Sequence, residues 1–208
     1  MKPPADIHPD SGSRLPSVQR EDLDAAGRAE FDALVARSGG ASLAGLRGPG
    51  GLNLHSPQAA VHLHGLSGYL RYESGISARV RETAILITAR ELDQQFEWLM
   101  HEPNALKEGV PAATIDVIKY GRSSDGLDAS DAVIIELGRQ IFTQHRVDAA
   151  LYARAHALFG TRGLVELVML MGNYSAIAAL LTTFDAQLPE GQPPLLPPRV
   201  SLRRLIPL

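Results

Sequence analysis

The chain of 208 residues carries 45% hydrophobic and 21% charged side chains, the balance of a folded protein, and it is long enough for one self-supporting core. It holds no Cys, which excludes disulfides, thiolate metal sites and every cysteine nucleophile or redox mechanism from these residues. Its formal charge of -3, with Lys and Arg scattered, provides no basic patch for a phosphate backbone, so nucleic acid is not an expected partner.

Ten of the fourteen prolines lie in residues 1–20 or 189–208, so both ends read as extended or mobile segments around a single helical domain over 21–188. The first thirty residues contain no apolar signal core, and with the lack of Cys this points to the cytoplasm. Between the ends no stretch alternates like a half-buried strand, whereas several repeat apolar residues at helical spacing, and the expected fold class is all-α. The first helix spans Leu23 to Ala36 and is stopped by Ser38-Gly39-Gly40, after which a Gly-rich loop runs to His55. Within that loop Gly48-Pro49-Gly50-Gly51 follows no predicted strand, so it lacks the context of a phosphate loop and reads as a turn. Ser56-Pro57, a capping hydroxyl followed by proline, starts a helix that runs to about Glu73. Ser77 caps the next, which continues to about Leu92. A helix from Gln94 to Glu108 contains Pro103, which predicts a kink or an early end, and Gly109 closes the pattern. Further helices fit Pro111 to Tyr120, Asp128 to Thr143, Asp148 to Phe159, and Gly163 to about Leu188. The run from Leu164 to Leu181 is apolar enough to raise the question of a membrane span, but Glu166, Asn173 and Tyr174 interrupt it. It reads as a buried central helix that could also pack against a second subunit, and no membrane partner is expected. The Pro-rich tail carries Leu195, Leu196, Leu202 and Leu205, which an isolated segment would leave wet, so it is predicted to lie across its own or a neighbouring subunit.

Helical phase sorts the polar residues. On the helix after Gln94, Phe96, Leu99, Met100, Pro103 and Leu106 gather on one side, with Gln94, Glu97, Trp98, His101 and Ala105 on the other. Glu97 and His101 are then neighbours at i, i+4. A carboxylate beside an imidazole favours its protonated form and orients one ring nitrogen, as a proton-shuttling pair requires. The same pattern also fits a solvated helix face, but Trp98 in its middle argues that this side is covered. Glu82 has Ile85, Leu86 and Ala89 as its angular neighbours, so it is a carboxyl in an apolar stripe. Burial penalises its charged form unless a partner is found, and Arg79, Arg81, Arg90 and His101 are the candidates. Such a Glu serves equally as a structural lock between helices or as a catalytic group. Glu166 and Asn173 form a second polar stripe, either lining a pocket or hydrogen-bonded between helices.

His55, His62 and His64 invite a metal reading, but 62 and 64 point to nearly opposite sides of a helix and no matched carboxylate cluster accompanies them. No metal is expected. Ser56, Ser67 and Ser74 lack the strand-to-helix elbow of a hydrolase nucleophile, and no acyl-transfer triad is apparent.

Arg81-Glu82 on one helix, followed by Glu97-Trp98 and His101 on the next, resembles the carboxymuconolactone decarboxylase family. Lys107-Glu108-Gly109-Val110-Pro111 is similar to the family's helix end and turn, and Glu166-Leu167-Val168 through Asn173-Tyr174 to its last core helix. The resemblance covers residues 20 to 190 and implies an alkylhydroperoxidase-D-like helical bundle that assembles into trimers or hexamers. In the superfamily's peroxidase branch two Cys stand between a Glu and a His. The matching positions here are Glu82, Gln94, Glu97 and His101, so both sulfurs are replaced and thiol peroxidase activity is excluded. The remaining proton-transfer equipment fits the decarboxylase branch, whose implied reaction is loss of carbon dioxide from a small carboxylated lactone or related aromatic-degradation intermediate, without a cofactor. The resemblance assigns His101 as general acid/base, Glu97 as its orienting partner or a second acid/base, and Glu82 as a buried carboxyl completing the relay. Trp98 would form a wall of the site, and Gln94, Asn53, His55 and Tyr174 are further candidates for contact with the small-molecule substrate. An isomerase, hydratase or hydrolase could use the same acid and base, and a non-catalytic ligand-binding helical oligomer is the reading from a different class.

Overall fold

The computed structural model describes residues 4–38 and 45–198. Among them the chain is predominantly helical and forms no strand, the one β-type feature being an isolated bridge between His8 and Ser13. The helices are α1 (Ala25–Ser38), α2 (Pro49–Asn53), α3 (Pro57–Tyr72), α4 (Ala78–Glu91), α5 (Gln95–Lys107), α6 (Ala112–Lys119), α7 (Ala129–Arg139) and α8 (Ala149–Thr183). The predicted Gly39-Gly40 stop, positions 41–44 of the Gly-rich loop, and Leu202 and Leu205 of the tail lie outside the described residues.

Local chemistry sets most helix ends. The side chains of Ser77, Asp128 and Asp148 accept first-turn backbone N–H groups of α4, α7 and α8, and Asp24 accepts from Gly27 at the start of α1. Ser56 makes no such bond; its ψ of 76° is outside the extended range of a capping residue, and α3 begins on the fixed φ of Pro57. Of the Gly48–Gly51 stretch, only Gly48 stays outside a helix, as the extended residue before α2, and Pro49 to Gly51 form the first turn of α2. Pro103 sits inside α5 without ending it, because it faces solvent, where water can satisfy the carbonyl its missing N–H leaves free. At the end of α5, Gly109 adopts φ +83° while its N–H reaches the Leu106 carbonyl and that of Val110 reaches Ala105 at 2.9 Å, a Schellman closure that buries Val110.

The two helices predicted over Asp148 to Phe159 and Gly163 to Leu188 run on as α8, broken internally at Gly160, whose φ of 66° and ψ of 177° suit no other residue. α8 ends at Thr183, five residues before Leu188. It is long and apolar enough to cross a membrane by length and composition, and 56% of its most apolar window is buried inside the protein. The helix predicted to Thr143 stops at Arg139, and Gln140–Gln144 adopts a π-helical turn closed by His145 in the left-handed region.

α4 is the central element. Every residue from Glu82 to Arg90 is buried, so this helix is enclosed on all sides, with α5, α6, α7 and α8 packed around it. Ile85, Leu86 and Ile87 of α4 join Phe96 and Trp98 of α5, Ile134 and Ile135 of α7, and Leu167 and Leu170 of α8 in one core. Each such side chain contributes about 1.5–3 kcal/mol by leaving water. α3 lies on α8, and α1 lies on α3.

Both ends are tied to this body over their described residues. The Arg14 guanidinium donates to the Thr183 carbonyl at 2.9 Å, and Gln187 N–H donates to the Gly12 carbonyl at 2.8 Å. The Pro-rich tail crosses the start of α5, as its leucines predict. Gln95 Oε1 accepts the N–H groups of Leu195 and Leu196, each at 2.9 Å, Gln95 Nε2 donates to the Leu196 carbonyl at 3.0 Å, and Leu196 is 3% exposed. Replacing Gln95 by Ala removes three hydrogen bonds of the strap without touching the core. The expected cost is about 1–2 kcal/mol in denaturant unfolding, with amide exchange at Leu195 and Leu196 accelerated well before global opening; unchanged exchange there would show that apolar packing alone holds the tail.

Candidate functional site

The connection between α4 and α5 is three residues long, and it positions the polar cluster. Asp93 takes the left-handed conformation at φ 51°, its carboxylate accepting from Arg90 Nη1 at 2.9 Å, and Gln94 N–H returns to the Ala89 carbonyl at 2.8 Å. The Gln94 side chain caps α5 by accepting from Phe96 N–H at 3.0 Å, and its amide donates to Ala178 O and Thr182 Oγ1 of α8. This tight return folds α5 back on α4, with Glu97, Trp98, His101 and Ala105 turned inward and Pro103 and Leu106 outward. The inner face of α5 therefore carries Glu97 and His101, as Trp98 indicates from sequence.

His101 Nδ1 lies 2.7 Å from Glu82 Oε2, and Glu82 Oε1 accepts from Arg81 Nε at 3.2 Å. Burial by itself pushes the Glu82 carboxyl up, but the His101 hydrogen bond and charge, then Arg81, outweigh it and hold the group below its ordinary value. An ionised carboxylate can only accept, so Nδ1 carries the proton of this bond and Nε2 is left for exchange. Of the four cationic candidates, His101 and Arg81 are thus the partners; Arg79 pairs with Asp131 at 2.7 Å and Arg90 with Asp93.

On the other edge of the ring, Nε2 lies 3.5 Å from Glu97 Oε2. Burial raises the Glu97 carboxyl above the ordinary range, with the opposing pull of His101 and Arg71 too weak to reverse it. The Tyr174 ring meets the imidazole edge-on at 5.1 Å and 87°, and burial drives its phenol far upward, so it stays neutral. Two carboxyls of opposite tendency therefore flank one imidazole, a charged one behind and a neutral-leaning one in front.

Glu97, His101 and Tyr174 open onto a cavity of about 350 Å³ enclosed by α1, α2, α3, α5 and α8. Leu34, Phe96, Met100 and Ile177 supply apolar wall, and Asn53, His64, Arg37 and Arg71 supply polar groups. Of the residues expected at the site from sequence, Glu97, His101, Asn53 and Tyr174 line this cavity. Glu82 does not; it stands behind His101 in the core. Trp98, expected as a wall, is fully buried with the Lys119 ammonium 5.8 Å from its ring, and Gln94 is occupied as a cap, so neither meets the cavity. His55 is exposed, next to the Pro16 carbonyl, because it follows α2 rather than sharing the α3 face. Glu166 accepts from Tyr69 Oη at 2.6 Å and Arg162 Nε at 2.9 Å, while Asn173 is buried with neither amide atom bonded; the two neither pair with each other nor line the cavity.

Sequence reasoning missed Arg71 and Arg37, and it left open which of His55, His62 and His64 faces the pocket; of the three, His64 lines the cavity. The signal was present on α3, where His64, Ser67, Gly68 and Arg71 recur at helical spacing and all reach the cavity. His64 is held by Glu30 at 2.9 Å and His62 is exposed, and among the described residues no group of His, Asp and Glu is arranged to hold a metal ion. No family model, curated protein or solved structure matches the chain.

The opposed carboxyls give opposite pH signatures. Glu97 binds its proton more tightly folded than unfolded, so it costs stability as pH rises above the unfolded value of about 4.3. Glu82 binds its proton less tightly when folded, so its contribution is present above that value and is lost as pH falls through the lower folded one. Glu97→Gln is expected to raise the thermal midpoint at pH 7 by about 2–4 °C, on the order of 1 kcal/mol, with the gain vanishing below about pH 4. A variant whose midpoint equals that of the wild-type protein at both pH values would place the Glu97 carboxyl in water.

Proposed function

We propose that this chain is an acid–base enzyme, a cofactor-independent decarboxylase-like lyase acting on a small carboxylated lactone or a related aromatic-degradation intermediate. The single observation that carries the reading is the buried Glu82–His101–Glu97 relay with its forward end in a cavity. The resemblance of Arg81-Glu82, Glu97-Trp98 and His101 to the carboxymuconolactone decarboxylase family supplies the reaction class. In that reaction the bond to a carboxylate carbon breaks, the electron pair remains on a carbon conjugated to the unsaturated ring, and carbon dioxide leaves. One proton is then added to that carbon. Glu97, biased by burial toward its protonated form, and His101 Nε2 are the groups at the cavity able to deliver it, with replacement from solvent through the imidazole. Glu82 touches no substrate in this scheme. It is a positioning residue that fixes the ring and its tautomer through Nδ1.

Assembly into a trimer or hexamer belongs to the same reading, which also takes α8 as a core helix rather than a membrane span. Val165, Val168 and Met169 support it as apolar side chains left exposed along α8, the kind of surface a second copy would cover.

Carbon dioxide release over a panel of carboxylated lactones tests the proposal. His101→Ala should lower turnover about 10²–10⁴-fold, and turnover of a panel member without gas release would move the site to the isomerases, hydratases or hydrolases. At position 82, Gln keeps volume and one acceptor for Nδ1, whereas Ala strands His101 and Arg81 in the core. Glu82→Ala is expected to lose about 3–5 kcal/mol of stability and Glu82→Gln markedly less, with intermediate turnover; equal activity in both variants would make Glu82 purely structural.

A further inference from the structure

The cavity holds a cation that the proton relay does not use. Arg71 projects from the last turn of α3 into the cavity wall, and its Nε is buried without a hydrogen-bond partner. Among the described residues no carboxylate forms an ion pair with it, although Glu97 shares the same cavity. The guanidinium instead lies over the Tyr72 ring, its Cζ 5.2 Å from the centroid, a contact that orients the planar group without neutralising it. Arg37, on α1, adds a second guanidinium to the lining. Arg79, Arg81 and Arg90, by contrast, are matched by Asp131, Glu82 and Asp93. A guanidinium presents five donors in a rigid fork and keeps its charge at any accessible pH, so an unmatched one in a cavity is a preformed seat for a planar anion.

Resting on the acid–base reading above, we propose that Arg71 anchors a carboxylate of the substrate, and that this is a carboxylate the reaction retains. The second half follows from the charge flow of decarboxylation. A leaving carboxylate surrenders its negative charge to carbon, so a cation paired with it stabilises the ground state over the transition state and slows the step. A cation productively placed for this chemistry binds a different group and leaves the departing carboxylate against apolar wall, which Phe96, Met100 and Ile177 provide. The ligand class is therefore a small dicarboxylate with one end on Arg71. The other end faces the apolar wall within reach of Glu97 and His101. For Arg71 this makes specificity and positioning its task, with no part in proton transfer.

Benzoate and benzamide, alike in shape and different in charge, probe the seat by calorimetric titration of the full chain. The wild-type protein should bind benzoate at least tenfold more tightly than benzamide. Arg71→Gln should abolish that preference by weakening benzoate alone, and Arg71→Lys should restore part of it, since the point charge returns without the fork. Thermal unfolding of each variant separates this from loss of fold, because a misfolded variant would lose benzamide as well. A wild-type protein without preference for the anion, or an Arg71→Gln variant that keeps it, overturns the proposal. Failure of the acid–base reading is separately visible: His101→Ala should retain benzoate binding while losing turnover, and a protein that discriminates the two probes yet turns over no acid keeps the anchor and loses the lyase.

Discussion

The structure turns on placing an ionisable pair in the middle of an apolar helix bundle. Glu82 is 1% exposed on a helix whose neighbours are Ile85, Leu86 and Ala89, and an isolated carboxylate there would cost several kcal/mol. His101 and Arg81 offset that cost, and they do so only if α5 returns tightly against α4. Asp93 in a left-handed conformation and Gln94 as a cap secure the return. The hairpin geometry and the state of the imidazole are thus one constraint seen from two sides. A change that loosened the turn would leave a buried charge unmatched.

From that constraint the polarity of the site follows. With one ring nitrogen committed to Glu82, the other is directed toward Glu97 and the cavity. The two carboxyls are chemically identical and separated by one imidazole, yet burial and hydrogen bonding move them in opposite directions. Such a split leaves one carboxyl holding its charge against the imidazole and the other biased toward its protonated form. Arg71 adds a guanidinium on the α3 side of the same space, so that the cavity brings a fixed positive charge together with the Glu97 carboxyl and the His101 imidazole.

Much of the helical scaffold was legible in the sequence because its signals are local. Ser77, Asp128, Asp148, Pro57 and Gly109 act within a turn of their own position, and the helices begin or end beside them. The failures are of another kind. Pro103 did not break α5, because solvent lies at that side of the helix. Gly160 broke α8 without ending it, since one residue with positive φ can redirect a helix whose flanks are both anchored in the core. Gln94, expected from sequence to meet the substrate, serves instead as a cap tied to Ala178 and Thr182. Spacing reports where a residue stands along the chain, and only contacts from α8 decide what its amide does.

By itself, then, the amino-acid sequence determined a predominantly helical chain whose residues include no thiol, and a carboxyl, Glu82, that had to stay protonated or find a cationic or hydrogen-bonding partner. Trp98 between Glu97 and His101 argued that this side of the helix is covered, although the same pattern also fits a solvated face. Tertiary structure alone decided which cation Glu82 took, which carboxyl faces the cavity, and that Trp98, Gln94 and His55 stand outside it while Arg71 stands within. The reason is range. Caps, breaks and helical phase depend on neighbours a few residues away, whereas a cavity wall is assembled from α1, α2, α3, α5 and α8 and exists only once their packing is complete.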